Sequence, residues 1–382
     1  MDSFLNQYHV TLHTIGPVFV GSGKQLDKKE YIIDKKKKEV LVFDMGKMFS
    51  GLEKRHMGSR FEDFLLGGNV VLRKWLWDNN IRPAEYEKWV KYRIPCGEFF
   101  LKKGPLNVCE CVMDAYGNPY IPGSSLKGMI RTILGAYWTY GSKQRDNWQR
   151  EITRDIGKMQ KQNEFLKQQI EGIENDIFHT VQRMDEKGRT VKKEDAVNDM
   201  MSGVIVSDSD PLTTRDLILC QKVDVDPDGK SHSINTLRES IRPGCEIHFT
   251  LTIDTRICPV TKQDLLDAVA YFSERYYNEH LSKFKSADRP SEDTVWLGGG
   301  SGFHTKTIVN SVFDGKEALV NTCKILSKME GSKNKKAENE NSKNKKAKNE
   351  NDVEKGVSPH ILKCTEYQGK RYIFGQCKLE IL

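Results

Sequence analysis

No apolar run in this chain of 382 residues approaches the ~20 residues that a bilayer span requires, because charges interrupt every one of them. Paired cysteines are missing too. The nine cysteines are odd in number and contain no C-x-x-C pair, so neither a disulfide framework nor a zinc ribbon is indicated. Cys109 and Cys111 would share one face of a strand, as two reduced buried thiols or, alternatively, as a thiolate site. The N-terminus, MDSFLNQYHVTLHTIGPVF, lacks the positive and apolar regions of a secretory leader. These absences predict a cytoplasmic protein in a reducing compartment, with no membrane association.

What is present includes a net charge of +7. Much of it sits in a tandem repeat, SKNKKAENEN (332–341) followed by SKNKKAKNEN (342–351), whose seven Lys and three Glu leave only +3 for the rest of the chain. Bulk charge is therefore a weak argument for nucleic acid, and an RNA site has to come from local clusters. The repeat has no large apolar group to offset the entropy of ordering, which predicts a disordered loop over 328–356.

Residues 8–20 alternate polar and apolar side chains and predict a strand that runs into the loop Gly21-Ser22-Gly23-Lys24. A hairpin is expected over 30–43, with Asp34 and four lysines at its tip. Trp-rich helical periods mark 45–95 as a helical insertion. Strand character returns at 106–121, followed by a helix that Ser124 or Ser125 would cap, with Leu126, Met129, Ile130, Ile133, Leu134 and Tyr137 inward. Residues 141–200 read as a second helical insertion with a thin isoleucine stripe. Strands follow near 203–207, 216–223 and 245–254, then a helix over 262–284, the loop 298–303, and strands at 361–363 and 372–382.

This order is that of a ferredoxin-like, RRM-like unit, one or two of them, in an α+β chain. The expected division is 1–140 and 201–382 as two parts of one core, separated by the helical segment 141–200.

Three glycine segments carry the candidate chemistry. The first, Gly16 to Lys24, misses a P-loop because Ser22 occupies the lysine position. The second is the helix start at Ser124, whose free N–H groups and dipole favour an anion, with Lys127 and Arg131 four apart on one face. The third, Gly298-Gly299-Gly300-Ser301-Gly302, precedes Phe303, His304 and Lys306. Its backbone can approach a ligand closely, and Phe303 or His304 could stack on a base. Gly21, Ser22 and Lys24 join these as candidate RNA contacts.

Metal motifs fail on inspection. Asp224-Val225-Asp226-Pro227-Asp228-Gly229 opens like an EF-hand but has Asn235 where a bidentate Glu belongs. Asp208 and Asp210 lack a third carboxylate at recognisable spacing. No metal or other cofactor is expected. His9 and His13 share a strand face, and His56 lies in a helical stretch. They are candidates for acid–base work on RNA or, more simply, structural and solvated histidines.

LHTIGPVFVGSG (12–23), YIPGSSLKGMIRT (120–132) and LGGGSGFHTKT (297–307), in this order, resemble the RAMP superfamily of CRISPR proteins. CEIHFTLTID (245–254) after Pro243-Gly244 fits the same pattern. KQLDKKEYI (24–32) and the closing FGQC (374–377) look most like the head-subunit branch of type III-A Csm complexes. The resemblance implies an RRM-like core that grips crRNA by its backbone near the 3′ end. It also implies contact with a backbone RAMP subunit, with the small helical subunit as a further neighbour and target RNA met only indirectly. It carries Ser124, Ser125, Lys127, Arg131 and Gly298 to Gly302 over as RNA contacts. Backbone subunits of the superfamily cut target RNA with an Asp after the first strand. Here Asp27 and Asp34 are the only acids nearby, in an unmatched context, so a non-catalytic role is expected. The alternatives are a RAMP endoribonuclease that processes precursor RNA, or a type III-B or backbone subunit.

Overall fold

The structure, a computed structural model, describes residues 4–98, 107–158, 167–335 and 352–382. Its first strand, β1 (Leu5–Thr14), buries Val10 and Leu12 and turns His9 and His13 the other way, as its alternation dictates. The strand stops at Thr14, short of the expected Val20. The glycine segment that follows is itself a strand, β2 (Gly21–Leu26), and not a loop. β3 (Tyr31–Asp34) and β4 (Glu39–Phe43) form the expected hairpin. Four short helices come next: α1 (Met45–Glu53), α2 (Gly58–Leu66), α3 (Leu72–Asp78) and α4 (Pro83–Tyr86). β5 (Val90–Pro95) then returns to pair with β4. This lobe has its own core, where Phe61 and Phe64 pack on Trp75 at centroid distances of 5.3 and 5.0 Å.

β6 (Asn107–Cys111) leads to the long helix α5 (Gly123–Gly141). Leu126, Met129, Ile130, Ile133 and Leu134 are buried on its inner face, at the expected spacing. α6 (Arg145–Lys158) and α7 (Lys167–Phe178) follow. Then come β7 (Val204–Val206), β8 (Leu217–Val225), β9 (Ser231–Ile241), β10 (Glu246–Asp254) and α8 (Lys262–Glu279). β11 (Thr294–Trp296), the glycine loop, α9 (Val309–Val312) and α10 (Gly315–Lys335) come after. The chain closes with α11 (Asp352–Lys355), β12 (Leu362–Tyr367), β13 (Lys370–Ile373) and β14 (Gln376–Ile381). The helix α10 enters the first four residues of the repeat, and Asp352, just past it, is buried, so the expected loop over 328–356 is shorter than its composition suggested. Residues 336–351 of the repeat lie outside the described residues.

The strands form three sheets. The first, in the order β11-β14-β1-β10-β7, is antiparallel throughout. Along the path β1, α5, β7, β10, α8, β14, its strands take the order fourth, first, third, second, with β11 outside the fourth. Leu12, Ile247 and Phe249 from its inner face join Leu126 and Ile130 of α5 and Leu265 and Phe272 of α8 in one core. At roughly 1.5–3 kcal/mol per buried large side chain, this layer is a main source of stability. The second sheet, β13-β12-β8-β9-β6-β2, pairs β6 with β9 in parallel and closes the other side of that core. The third is β3-β4-β5. A smaller core joins Ile152 and Ile156 of α6, Ile173 of α7, Val312 of α9 and Ile325 of α10.

Candidate nucleic-acid interface

The start of α5 is built from a distance. Ser124 and Ser125 do not cap it; both lie inside the first turn, after Pro122. The Gly123 N–H instead donates to Asp208 Oδ1 at 2.8 Å, from the segment after β7. That segment presses so close that a Cβ on Gly123 would sit 2.4 Å from the carbonyl oxygens of Val206 and Ser207. The Asp208 carboxylate thus occupies the position that the helix dipole offers an anion. Asp208 of the D-x-D pair is an intramolecular helix cap.

Arg131 is also committed. Its guanidinium donates to Asp199 at 2.6 Å and to Glu174 at 3.3 Å, and lies 4.0 Å over the Phe178 ring. Two carboxylates neutralise it, so it is not the free phosphate cation that its spacing from Lys127 suggested. Lys127 has no hydrogen-bond or ion-pair partner among the described residues.

The glycine loop packs on parts of the chain far away in sequence. Gly299 N–H donates to the Phe19 carbonyl at 2.6 Å. Gly300, at φ +94°, leaves room for Arg238 of β9, whose Nη1 would lie 2.2 Å from a Cβ there. Arg238 Nη1 donates to Gly299 O at 3.3 Å, and the guanidinium lies over the rings of Phe19 (5.1 Å) and Phe374 (5.6 Å). Its buried Nε has no partner, and no carboxylate pairs with it among the described residues. Burial lowers its pKa. Lys306 keeps solvent contact, yet the atoms around its ammonium, and then Arg238, lower its pKa. Two cations therefore lie close enough to interact at a glycine loop, and among the described residues neither has an ion-pair partner, with Asp224 acting on Arg238 only from beyond ion-pair range; an anion would relieve this arrangement.

The remaining loop residues divide. Ser301 is buried; its Oγ donates to Gly298 O and accepts from Thr305, so it shapes the loop. Phe303 is half-buried beside Lys306. His304 is buried and cannot stack on a base: its Nε2 bonds the Ser358 carbonyl at 2.7 Å, and burial pushes its pKa down to about 4. Gly302, at φ +108°, completes the turn.

A cavity of about 290 Å³ joins the two motifs, with Arg131 and Thr132 of α5 on one wall and Phe303 and Lys306 on another. Gly21, Ser22 and Lys24 lie exposed on the edge strand β2; Ser22 Oγ donates to Glu110 and accepts from Lys24 N–H, each at 3.1 Å. Phe19 ties the start of β2 to the loop, since its ring would lie 2.7 Å from a Cβ on Gly21.

The other candidates have structural explanations. Asp27 accepts the Lys29 N–H at 2.9 Å in a turn. Asp34 caps the lysine tip; hydrogen bonds from Lys37 and Lys36 N–H hold its carboxyl below the usual range. The Asp226–Gly229 segment is the β8–β9 turn. His9 stacks on His248 (5.3 Å), and His13 lies 3.4 and 3.2 Å from Glu246 and Glu380, on the outer face of the first sheet. No group of three metal-binding side chains occurs among the described residues.

These features define an α+β protein with a cationic site at a glycine-rich loop, where two cations have no ion-pair partner among the described residues. The chain belongs to the RAMP superfamily, whose family model matches residues 11–355. It is 27% identical over 410 residues to the CRISPR system Cms protein Csm5 of Mycobacterium tuberculosis, covering 100% of this chain and 99% of that protein. It is 29% identical over 320 residues to the protein of the same name from Streptococcus thermophilus, covering 81% and 82%. Two solved structures share its fold. The crystal structure of T. onnurineus Csm5 has TM-score 0.55 and 19% identity, covering 79% of this chain and 92% of that one. A chain of a Csm–crRNA–target RNA ternary complex from a type III-A CRISPR-Cas system has TM-score 0.57 and 19% identity, covering 98% and 100%.

Proposed function

We propose that this chain is a subunit of a type III-A Csm effector complex, where it holds the 3′ region of the crRNA at the head of the particle. It contacts the last backbone RAMP subunit there, and the small helical subunit is a further neighbour. The path β1–α5–β7–β10–α8–β14 serves as its ferredoxin-like, RRM-like core. The observation that carries the RNA reading is the pair Arg238 and Lys306, two cations at the glycine loop with no ion-pair partner among the described residues. A phosphodiester supplies the missing charge and needs no base sequence. The end-to-end similarity to proteins named Csm5 supports the assembly. The test is reconstitution with crosslinking: one copy per particle, with residues 298–306 crosslinked to the 3′ part of the crRNA. Several copies per particle, or crosslinks confined to the 5′ end, would refute the assignment.

The subunit does no chemistry in this account. One arrangement favours a second reading, a metal-independent endoribonuclease. His13, accessible and flanked by Glu246 and Glu380, has the composition of an acid–base group. Incubating the purified chain with precursor RNA in chelator separates the two. The non-catalytic account expects intact RNA; cleavage that His13→Ala abolishes would establish the enzyme.

A further inference from the structure

Neither the motifs nor the phosphate site explains the cavity between α5, α7 and the segment after the glycine loop. Its volume of about 290 Å³ is that of about ten water molecules, room for one planar heterocycle. Its apolar walls include Phe178, Phe303 and Ile308. Thr132 lines it too; its hydroxyl donates to Gly128 O at 2.9 Å, which leaves oxygen lone pairs free. Arg131 completes the wall in an unusual state. Its edge is bonded to Asp199 and Glu174, and it lies over the Phe178 ring, with Cζ 4.0 Å from the centroid. An arginine so neutralised is a poor phosphate ligand. What it still offers is its second flat face, and a guanidinium plane is a stacking surface for a nucleobase.

Lys306 lines this cavity and lies close enough to Arg238 for the two charges to interact. A phosphate held by Arg238 and Lys306 therefore leaves its own base within reach of the cavity. We propose that the cavity receives one unstacked nucleobase of the bound RNA strand, stacked against Arg131 and Phe303, while the adjoining phosphate sits on Lys306 and Arg238. This rests on the RNA-binding reading above and adds to it a single position at which the strand is held by its base.

The test uses the full chain and a set of single-stranded RNAs of one sequence, each lacking the base at a different position. Binding is followed by fluorescence anisotropy. One position is expected to be sensitive, its abasic RNA binding about tenfold more weakly. Thr132→Trp, which fills the cavity from a partly exposed helix position, should weaken the intact RNA by a similar factor and erase that sensitivity. Phe303→Ala should reduce it, and thermal unfolding confirms that both variants fold. Uniform tolerance of abasic positions, with tight salt-dependent binding retained, would overturn the base pocket alone. The same holds if the sensitivity survives in both folded variants. Failure of the wild-type chain to bind any RNA would overturn the RNA-binding reading and the pocket with it. Displacement of the RNA by micromolar mononucleotide would overturn the strand reading in favour of a free-nucleotide site.

Discussion

Glu239 offers a test of how β9, the strand that carries Arg238, is held in place. Its side chain is fully buried. It accepts from Tyr92 Oη of the inserted lobe at 2.7 Å and from Cys111 N–H of β6 at 3.0 Å, and no ion pair neutralises it among the described residues. Burial raises its pKa from 4.5 to about 7, against the opposing pull of those two hydrogen bonds. Below pH 4.5 the carboxyl is neutral in both the folded and unfolded chain, so it leaves stability undiminished. Between that value and about 7 the unfolded chain ionises and the folded one resists, so stability falls as pH rises. The loss levels off above the folded value, at on the order of 3 kcal/mol. Glu239→Gln keeps the shape, can accept from Cys111 N–H through its oxygen and donate to Tyr92 through its amide, and never ionises. Denaturant unfolding at pH 5 and pH 8 should show the variant near wild type at the lower pH. At the higher pH it should be more stable, by about 2–3 kcal/mol. An equal pH dependence in both proteins, or a variant less stable at pH 8, would refute the reasoning.

Three further outcomes follow from the same contacts. Arg131→Ala removes the cation shared by Asp199 and Glu174 and should lower stability by about 1–3 kcal/mol in denaturant titration, without changing the salt dependence of RNA binding. Gly300→Ala forces a Cβ onto Arg238 at a positive φ; it should cost about 1–3 kcal/mol in thermal unfolding and also weaken RNA binding. Deleting 336–351, a polar stretch with no large apolar residue, should shift Tm by less than about 2 °C, which calorimetry can read.

The sequence was most legible where local periodicity agrees with tertiary packing. The 31–43 hairpin and the inner faces of α5 and α8 follow directly from alternation and helical spacing. β9 carries no strand signature because its buried end reads Leu-Arg-Glu-Ser-Ile: Glu239 and Ser240 are buried polar residues that break the apolar pattern. Its turn, Asp226 to Gly229, opens like an EF-hand loop that Asn235 already argues against, and it is a hairpin connection. The sequence predicts one continuous strand over 372–382, but Gly375, at φ +77°, divides β13 from β14. The site follows the same rule. The glycine loop and Lys306 stand out as a motif, but the residues they meet are distant: Arg238 lies 61 positions from Gly299, and Asp208 lies 85 positions from the helix it caps. The serines of Pro122-Gly123-Ser124-Ser125 suggested a local cap because nothing local reveals a remote one. Arg238 carried one readable signal, an arginine in a strand whose only acidic neighbour, Glu239, points to the opposite face.

The central claim is that Arg238 and Lys306 receive an RNA phosphate at the glycine loop. The most direct measurement is the affinity of the chain for single-stranded RNA across a series of salt concentrations, for wild type and for Arg238→Ala with Lys306→Ala. Each lost phosphate contact should reduce the log–log slope by about 0.7. The account predicts weaker binding and a slope shallower by about 1.4 in the double variant if each cation holds its own phosphate, or about 0.7 if they share one. A folded double variant with wild-type affinity and an unchanged slope would contradict it.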